Sequence, residues 1–269
     1  KNGKVLFEQP DLQVEISGDK SQLNLKDILE FADTVNLEDV RELLETQISY
    51  NTAIAEEGLN NFWGASVGRT ILDAEPGSTL QRARAAAAAG SDARMNGCAL
   101  PVVINSGSGN QGITTSVPVI VYARELGVSD EKLLRALTLS NLTTIHEKTP
   151  IGRLSAYCGA ISAGAGAGAG IAYLCGGDYD AVIHTVVNAL AVVSGVICDG
   201  AKASCAAKIA TAVEAGLLGY NMYIRGNQFR AGDGIVAKGV ENSLKNVGRL
   251  GKQGMKETNN EIIAIMVGC

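Results

Sequence analysis

Apolar residues recur three and four positions apart in two stretches near the N-terminus, Leu25–Ala32 and Val40–Ile48. This spacing places apolar side chains on one face of a helix. Asn36 precedes the second stretch and is followed by acidic residues, which is typical of a helix N-terminus. Ser129 stands in the same relation to Asp130–Leu139. From about residue 20 onward, the pattern predicts a mainly α-helical chain.

The first residues follow a different pattern, with two short strand-like runs, Lys4–Glu8 and Leu12–Ile16, around a turn. This predicts a short β-hairpin over residues 4–17. A chain that opens inside a strand pair indicates that a longer N-terminal portion precedes it. We therefore expect residues 1–20 to be the end of an N-terminal α/β portion and residues 21–269 to form one helical domain.

Three further segments have recognisable patterns. Ala99–Asn105 is a short apolar, strand-like run that leads into a glycine-rich loop, and Gly112–Leu126 after it has the length of a helix. Thr258 and Glu261 have the spacing of a capping box before the apolar run Ile262–Val267. The pattern predicts a last helix that begins at Thr258.

Two long segments carry no charged side chain, Tyr157–Gly177 and Ala181–Cys198. Each approaches the length of a membrane-spanning helix, which raises the alternative of a membrane-embedded helical hairpin, as in a transporter. The first segment is mostly glycine and alanine, and acidic residues flank both segments, the reverse of the usual anchor pattern. Buried helices of an alanine-rich core are the better interpretation, and we expect no membrane association.

Composition supports tight helix packing and excludes one class of partner. The chain has 32 glycines and only 4% aromatic residues, so helix axes can approach closely. Its net charge is −5, which gives no electrostatic reason to expect nucleic acid. The charge is uneven, with −8 over the first 60 residues and +3 over the rest. A mildly basic remainder suits a small anion such as an amino-acid carboxylate.

The loop Gly107–Gly112 matches the G-x-G-x-x-G pattern, for which three interpretations stand. A dinucleotide-binding module would need a following helix and then a second parallel strand, but another helical pattern stands where that strand belongs. The glycines could instead only permit a tight bend. In the third interpretation the loop is an anion nest, whose backbone N–H groups bind a substrate carboxylate together with polar side chains. The candidate side chains are those of Asn105, Ser106, Ser108 and Asn110.

Six cysteines occur, and no secretory signal precedes them, so we expect a reducing, cytoplasmic compartment. Cys175, and less clearly Cys98, have the surroundings of small core residues. Cys198 and Cys205 are more informative, because a metal or cluster ligand pair is one interpretation of their spacing. A continuous helix would separate their α-carbons by about 10.5 Å, which is long for one small centre. Gly200 can break the helix, and Lys202 would then lie close to the sulfurs.

Five segments together resemble the catalytic domain of L-cysteine desulfidases, which are relatives of the α chain of iron–sulfur L-serine dehydratases. The segments are Asn96–Pro101 (NGCALP), Asn105–Ile113 (NSGSGNQGI), His146–Arg153 (HEKTPIGR), Cys158-Gly159 and Cys198–Cys205 (CDGAKASC). The resemblance covers nearly the whole chain, and its motifs are long enough to be specific.

The resemblance implies a 4Fe–4S cluster held by three cysteines, with the fourth iron open to substrate. The family's ligands fall on Cys158, Cys198 and Cys205, and Cys269 is the candidate for a resting-state fourth ligand. The implied reaction is α,β-elimination of L-cysteine to hydrogen sulfide, pyruvate and ammonia. L-Serine dehydration by the same mechanism is the alternative. Under this resemblance, residues 21–269 are a cluster-binding catalytic domain of a lyase in amino-acid catabolism.

The chain departs from the family at the residue that should act as base. Desulfidases carry a Gly-Cys-Thr-Glu-Pro motif near the N-terminus, and serine dehydratases a motif rich in serine and histidine. Neither motif occurs here. We therefore expect the base on a missing N-terminal portion of the same enzyme, packed on the Gly107–Gly112 side of the site. The small-residue helix faces favour a homodimer.

Within the His146–Arg153 segment, the polar character of the sequence favours substrate contacts. We predict His146 and Lys148 as substrate-binding or supporting residues, and Arg153 as a residue that binds a carboxylate or pairs with a surface acid. His184 lies on an apolar stretch and is interpreted as structural.

Overall fold

The computed structural model describes residues 19–74, 77–152 and 154–268, and this part of the chain is mainly helical. A 3-10 turn at Lys20–Gln22 comes first and a π-helical turn at Leu250–Gly254 precedes the last helix. The α-helices are α1 (Leu25–Thr34), α2 (Glu38–Asn60), α3 (Val67–Ala74), α4 (Thr79–Met95), α5 (Gly109–Leu126), α6 (Asp130–Ile151), α7 (Gly159–Leu174), α8 (Tyr179–Val193), α9 (Cys205–Tyr223), α10 (Val240–Arg249) and α11 (Lys256–Val267).

Helix α7 is the centre of the fold, since every residue from Ala160 to Leu174 is buried. Helices α5, α6, α8 and α9 surround it. Its Gly-Ala alternation explains this position, because small side chains let neighbouring backbones come close. A Cβ added at Gly164 would lie 2.4 Å from the carbonyl oxygen of Ala212, and one at Gly216 would lie 2.3 Å from that of Gly164. The α7–α9 contact therefore requires glycine on both helices.

The prediction of a mainly α-helical chain is confirmed. The predicted caps are partly confirmed: Ser129 accepts a hydrogen bond from the backbone N–H of Lys132 at the start of α6, while α2 begins at Glu38, two residues after Asn36. The β-hairpin predicted over residues 4–17 lies outside the described residues. The membrane alternative finds no support: within the described ranges, no helix has both the length and the apolarity to cross a bilayer.

Two local predictions are wrong. Ala99–Asn105 is not a strand but an irregular segment whose last residue forms an isolated bridge with Ser108. It has no neighbouring strand to pair with, because the described residues contain no sheet. The capping box at Thr258 is also wrong, since α11 begins two residues earlier, at Lys256. The preceding π-helical turn already leads the backbone into helical geometry.

Candidate active site

A cavity of about 320 Å³ lies where the N-termini of α5, α7 and α9 meet the end of α6. Its wall combines the glycine loop, three cysteines and two basic side chains, and no aspartate or glutamate of the described residues lines it. The lining residues are Arg94, Ser106, Gly107, Ser108, Asn110, Gln111, Lys148, Leu154, Ser155, Tyr157, Cys158, Gly159, Ala160, Cys198, Gly200, Ala201, Cys205 and Ile209. The cavity thus brings together segments that are up to about a hundred residues apart in sequence.

Backbone pairing sets Cys158 beside Cys198. Tyr157 and Ile197 form an isolated antiparallel bridge. Across it, the N–H of Cys158 donates to the carbonyl of Val196 at 3.2 Å, and the N–H of Cys198 donates to that of Ala156 at 2.6 Å. Cys158 is buried and Cys198 is half-buried. Main-chain hydrogen bonds therefore hold the two thiols at one wall of the cavity.

Cys205 reaches the same cavity through a turn after Cys198. Gly200 has φ +96°, a conformation that favours glycine, and it reverses the chain before α9 starts at Cys205. The Cys205 thiol lies 3.6 Å from the carbonyl oxygen of Gly200. The segment is thus folded back as the sequence allowed. Lys202, however, is exposed and does not line the cavity; the lysine of this region with a partner is Lys208, which pairs with Asp199.

Burial opposes ionisation of the Cys158 thiol in the absence of a ligand. The pKa of Cys158 is raised to about 11, chiefly by burial and also by the neighbouring Cys198 and Cys205. The N–H of Ala160 and the ammonium of Lys208 act in the opposite direction. The thiols of all three cysteines line the same cavity. A bound metal centre would deprotonate them outright, because it replaces the proton with a stronger positive charge.

Lys148 is the buried cation of the cavity. It is only 5% exposed and lies in the last turn of α6. Burial lowers its pKa, while the negative charge of Cys198 and Cys158 as thiolates raises it. Among the described residues no carboxylate lies within 4.0 Å of it. Its ammonium is therefore available to the thiols or to an anionic ligand.

The glycines of the loop are needed because neighbouring atoms of the protein lie too close for a side chain, and a bound nucleotide is not required to explain them. Gly107 has φ +81°. A Cβ at Gly109 would lie 2.3 Å from Arg94 Nε, and one at Gly112 would lie 2.0 Å from the carbonyl oxygen of Val103. The dinucleotide interpretation needs a parallel strand after the helix, but α5 is followed directly by α6, and no strand occurs in the described ranges. The geometry does not support that alternative.

Of the four polar residues predicted in the loop, three line the cavity. Ser108 caps α5, with its hydroxyl accepting from the N–H of Gln111 at 3.4 Å. Ser106 has φ +49° and donates from its hydroxyl to Asn105 Oδ1 at 2.8 Å. Asn105 does not line the cavity; it donates to Asn141 Oδ1 at 2.9 Å and so anchors the loop to α6. Asn110 faces the cavity from the first turn of α5.

His146 is placed elsewhere. Its Nε2 lies 2.7 Å from Glu241 Oε2, and the other oxygen of that carboxylate accepts from the N–H of Leu25 at 2.9 Å. The contact with His146 lowers the pKa of Glu241, although burial acts in the opposite direction. His146 does not line the cavity, so its prediction as a substrate contact is not supported by the structure. Helical spacing explains the difference, because residues two apart on α6 face different neighbours.

Sequence reasoning missed three residues near the cavity. Arg94 lines it from α4, Gln111 lines it from α5, and Glu147 lies beside Lys148 on α6. Gln111 Oε1 and both carboxyl oxygens of Glu147 are buried without a hydrogen-bond partner. Burial raises the pKa of Glu147 well above its usual range, which favours the protonated form of this carboxyl. Gln111 lies inside the loop motif and Glu147 inside the His146–Arg153 segment, whereas Arg94 carried no sequence signal.

The remaining cysteines differ in placement. Cys98 is half-buried against a small apolar cluster with Ile54 and Ile113, as expected of a core residue. Cys175 is exposed, so its interpretation as a core residue is wrong; it caps α7 at the surface. Cys269 and Arg153 lie outside the described residues. His184 stacks on Tyr223 with ring centroids 5.6 Å apart, consistent with a structural role.

The chemistry of the donor set is that of a thiolate site, and thiolates are the usual ligands of iron–sulfur clusters. Within the described residues, no three His, Cys, Asp or Glu side chains are close enough to hold one metal ion. Three thiols without any carboxylate on the wall also disfavour the hard cations, which prefer oxygen.

The fold and cavity thus define a helical protein with a thiol-lined binding site. The family model described as serine dehydratase alpha chain matches residues 11–264, and the chain belongs to that family. Similar curated proteins are the UPF0597 protein of Desulfitobacterium hafniense, 61% identical over 99% of this chain, and that of Lachnoclostridium phytofermentans, 53% identical over 99% of it. The chain covers 63% and 64% of these two relatives. No solved structure matches it significantly.

Proposed function

We propose that the protein is an iron–sulfur-dependent lyase that catalyses α,β-elimination of L-cysteine to hydrogen sulfide, pyruvate and ammonia. Membership of the serine dehydratase alpha chain family supports a serine dehydratase-like lyase. The observation that carries the proposal is the meeting of Cys158, Cys198 and Cys205 at one cavity with a glycine loop and a buried lysine. These three cysteines would hold the 4Fe–4S cluster.

When bound, the cluster would supply an open iron that acts as a Lewis acid toward the carboxylate and the leaving group. The chain's own residues would prepare that site. The thiols of Cys158, Cys198 and Cys205 would release their protons to become ligands, and the Lys148 ammonium would offset part of the negative charge. Cys158 precedes α7 and Cys205 begins α9, so both lie on the cavity wall that the glycine loop also lines.

The glycine loop would bind the substrate carboxylate. Backbone N–H groups at the start of α5 point toward the cavity end of that helix, where its dipole favours an anion. Ser106, Ser108 and Asn110 line the same wall and can donate further hydrogen bonds. Because the carboxylate would be fixed there, the α-proton and the leaving group would be held in a constant position relative to the thiols.

The catalytic base would lie on a part of the enzyme outside this chain. No aspartate, glutamate or histidine lines the cavity in the described residues. The relatives extend well beyond the segment that this chain covers. A base carried on that additional part would remove the α-proton, after which sulfide leaves and aminoacrylate hydrolyses to pyruvate and ammonia.

L-Serine is the alternative substrate, since the family model is that of a serine dehydratase chain. The two reactions share the mechanism and differ in the leaving group. Initial rates with L-cysteine and L-serine separate them, through the ratio of the two kcat/KM values. The family description as an alpha chain also makes a second chain a candidate partner, beside the homodimer that we expected.

Cys269 would serve as a fourth ligand at rest. Helix α11 supports this, because a Cβ at Gly200 would lie 3.0 Å from Met266 Cε, and Gly200 lines the cavity. The C-terminal helix therefore reaches the turn between Cys198 and Cys205. Cys269 follows Met266 by three residues.

The test is an anaerobic assay of iron and acid-labile sulfide on the full-length protein that contains this chain, with a visible spectrum. We expect about four irons and about four sulfides per chain, with broad absorption that air bleaches. Absence of both after reconstitution would contradict the proposal and leave the three cysteines as ordinary thiols.

A further inference from the structure

Arg94 enters the cavity from a helix that no motif singled out. It lies in the last turn of α4, and its side chain crosses to the start of α5, where Nη1 donates to Asn110 Oδ1 at 3.3 Å and lies 4.0 Å from Met95 Sδ. The absence of a side chain at Gly109 leaves room for the guanidinium, since a Cβ there would lie 2.3 Å from Nε. Gly109 thus leaves the space that the Arg94 guanidinium occupies.

The charge of Arg94 is not neutralised by a carboxylate. Two other arginines of the same helix each have one: Arg82 Nη2 lies 2.7 Å from Glu125, and Arg84 Nη2 lies 2.8 Å from Glu214. Among the described residues, no carboxylate lies within 4.0 Å of Arg94. A guanidinium has five N–H donors, so several remain for a ligand.

Another group of the same wall independently indicates an anionic ligand. Lys148 is 95% buried, faces the cavity and has no carboxylate partner in the described ranges. A buried charge without a counter-ion is costly. The two cations, on a wall where the described residues place no aspartate or glutamate, together favour a ligand that brings negative charge.

We propose that Arg94 binds the α-carboxylate of the substrate and makes that carboxylate a requirement for binding. The inference rests on the proposed function and names the residue that would select amino acids over the corresponding amines. The guanidinium suits this role because its planar fork matches a carboxylate in a bidentate geometry. Lys148, whose charge interacts with Cys198 and Cys158, would instead serve the thiols.

The test compares the wild type with Arg94→Gln and Arg94→Lys in the full-length protein, handled anaerobically. The probes are 3-mercaptopropionate, which has the carboxylate and thiol without the amine, and cysteamine, which has the amine and thiol without the carboxylate. Binding is measured by calorimetry, and kcat and KM are measured with L-cysteine. Arg82→Gln is the matched control, because it changes an arginine of the same helix outside the cavity.

We expect Arg94→Gln to weaken the binding of 3-mercaptopropionate and to raise the KM for L-cysteine, each by about 10- to 100-fold. The reason is the loss of a hydrogen bond to a charged group. Affinity for cysteamine and iron content should stay within about twofold, and kcat within about threefold. Arg94→Lys should recover part of the affinity, because it restores the charge without the fork. Arg82→Gln should match the wild type in all measurements.

Three results would overturn the role of Arg94. In Arg94→Gln, the affinity for 3-mercaptopropionate could be unchanged, or the affinities for both probes could fall equally. The wild type could also fail to bind 3-mercaptopropionate at millimolar concentration. Failure of the proposed function looks different. A wild type without iron and without product formation would contradict the lyase, whereas the difference in 3-mercaptopropionate affinity between wild type and Arg94→Gln would still report on the carboxylate site.

Discussion

Two successive stretches of α6 differ in whether their buried polar side chains have partners within the protein. Around Ser140 and Thr144, deep in the core, the hydroxyls bond to one another through Thr115, with Thr115 Oγ1 2.8 Å from Ser140 Oγ and 2.9 Å from Thr144 Oγ1. One turn later, Glu147 has no partner and Lys148 has no counter-ion among the described residues. The fold itself supplies partners for Ser140 and Thr144, although the buried hydroxyl of Thr143 between them has none. The second stretch requires something that the fold does not supply, which distinguishes a packing region from a binding site.

The largest effect is expected in the packing region. Gly216→Val should destabilise the fold by about 3 kcal/mol or more, because the new side chain collides with the carbonyl oxygen of Gly164, 2.3 Å from a Cβ. Thermal unfolding should show a loss of at least about 6 °C. Gly77→Ala is the control, since no atom lies within 4 Å of its added Cβ. Equal stability of the two variants would contradict the close α7–α9 packing.

In the binding region, Cys198→Ser should remove more than about nine-tenths of the bound iron while leaving the helical circular dichroism unchanged. The reason is that one of three proposed cluster ligands is lost, whereas the backbone hydrogen bonds of residue 198 do not involve its sulfur. Cys175→Ser, at an exposed cysteine outside the cavity, is the matched control and should retain the iron. If Cys198→Ser keeps its iron, Cys198 is not a ligand.

A smaller effect of opposite sign is expected at Glu147. Its pKa is raised by burial, so the folded state holds a proton that the unfolded state releases above about pH 4.5. The wild type therefore loses stability as the pH rises above the ordinary pKa of a glutamate. Glu147→Gln removes that dependence and should be more stable at pH 8 by about 1 kcal/mol, a gain of about 2–4 °C in Tm, with a smaller difference at pH 5.

A Tm difference between the wild type and Glu147→Gln that is independent of pH would contradict the raised pKa of Glu147. Such a result would mean that its carboxyl has a partner in solution. A separate iron assay on the same variant shows whether the change reaches the proposed cluster ligands.

The smallest effect is expected at the C-terminus. Cys269→Ala should preserve most of the iron, within about a fifth of the wild-type content, because Cys269 is proposed only as an exchangeable fourth ligand. Iron content and the visible spectrum are measured before and after substrate is added. Complete loss of iron would make Cys269 a primary ligand.

The helices were predictable because their signals are local. The cap at Ser129 identifies a helix start within a few residues, and the uncharged segment Tyr157–Gly177 indicates the buried helix α7. Ala99–Asn105 was misjudged because a short apolar run becomes a strand only when a partner strand lies beside it, and that information is not local. The capping box at Thr258 failed for a similar reason, since the preceding π-helical turn decides where α11 begins.

The site was predictable only where residues lie in motifs. Spacing and resemblance indicated Cys158, Cys198 and Cys205, and the structure brings them to one cavity, while their role as ligands stays a prediction. Arg94 carried no signal, because its relevance depends on where α4 ends relative to α5. His146 and Lys148 belong to the same motif, but only Lys148 lines the cavity, while His146 contacts Glu241.

The bridge between Tyr157 and Ile197 has a consequence for biogenesis. Its hydrogen bonds join main-chain atoms only, so the alignment of Cys158 and Cys198 does not use their sulfur atoms. We therefore expect the polypeptide to fold first and receive its cofactor afterwards, unlike small metal-dependent domains that are unstructured until loaded. If oxidation destroyed the cluster, the polypeptide would then stay folded and could receive a new cluster. Retention of helical circular dichroism after iron removal, followed by regained absorption on reconstitution, is the observable signature.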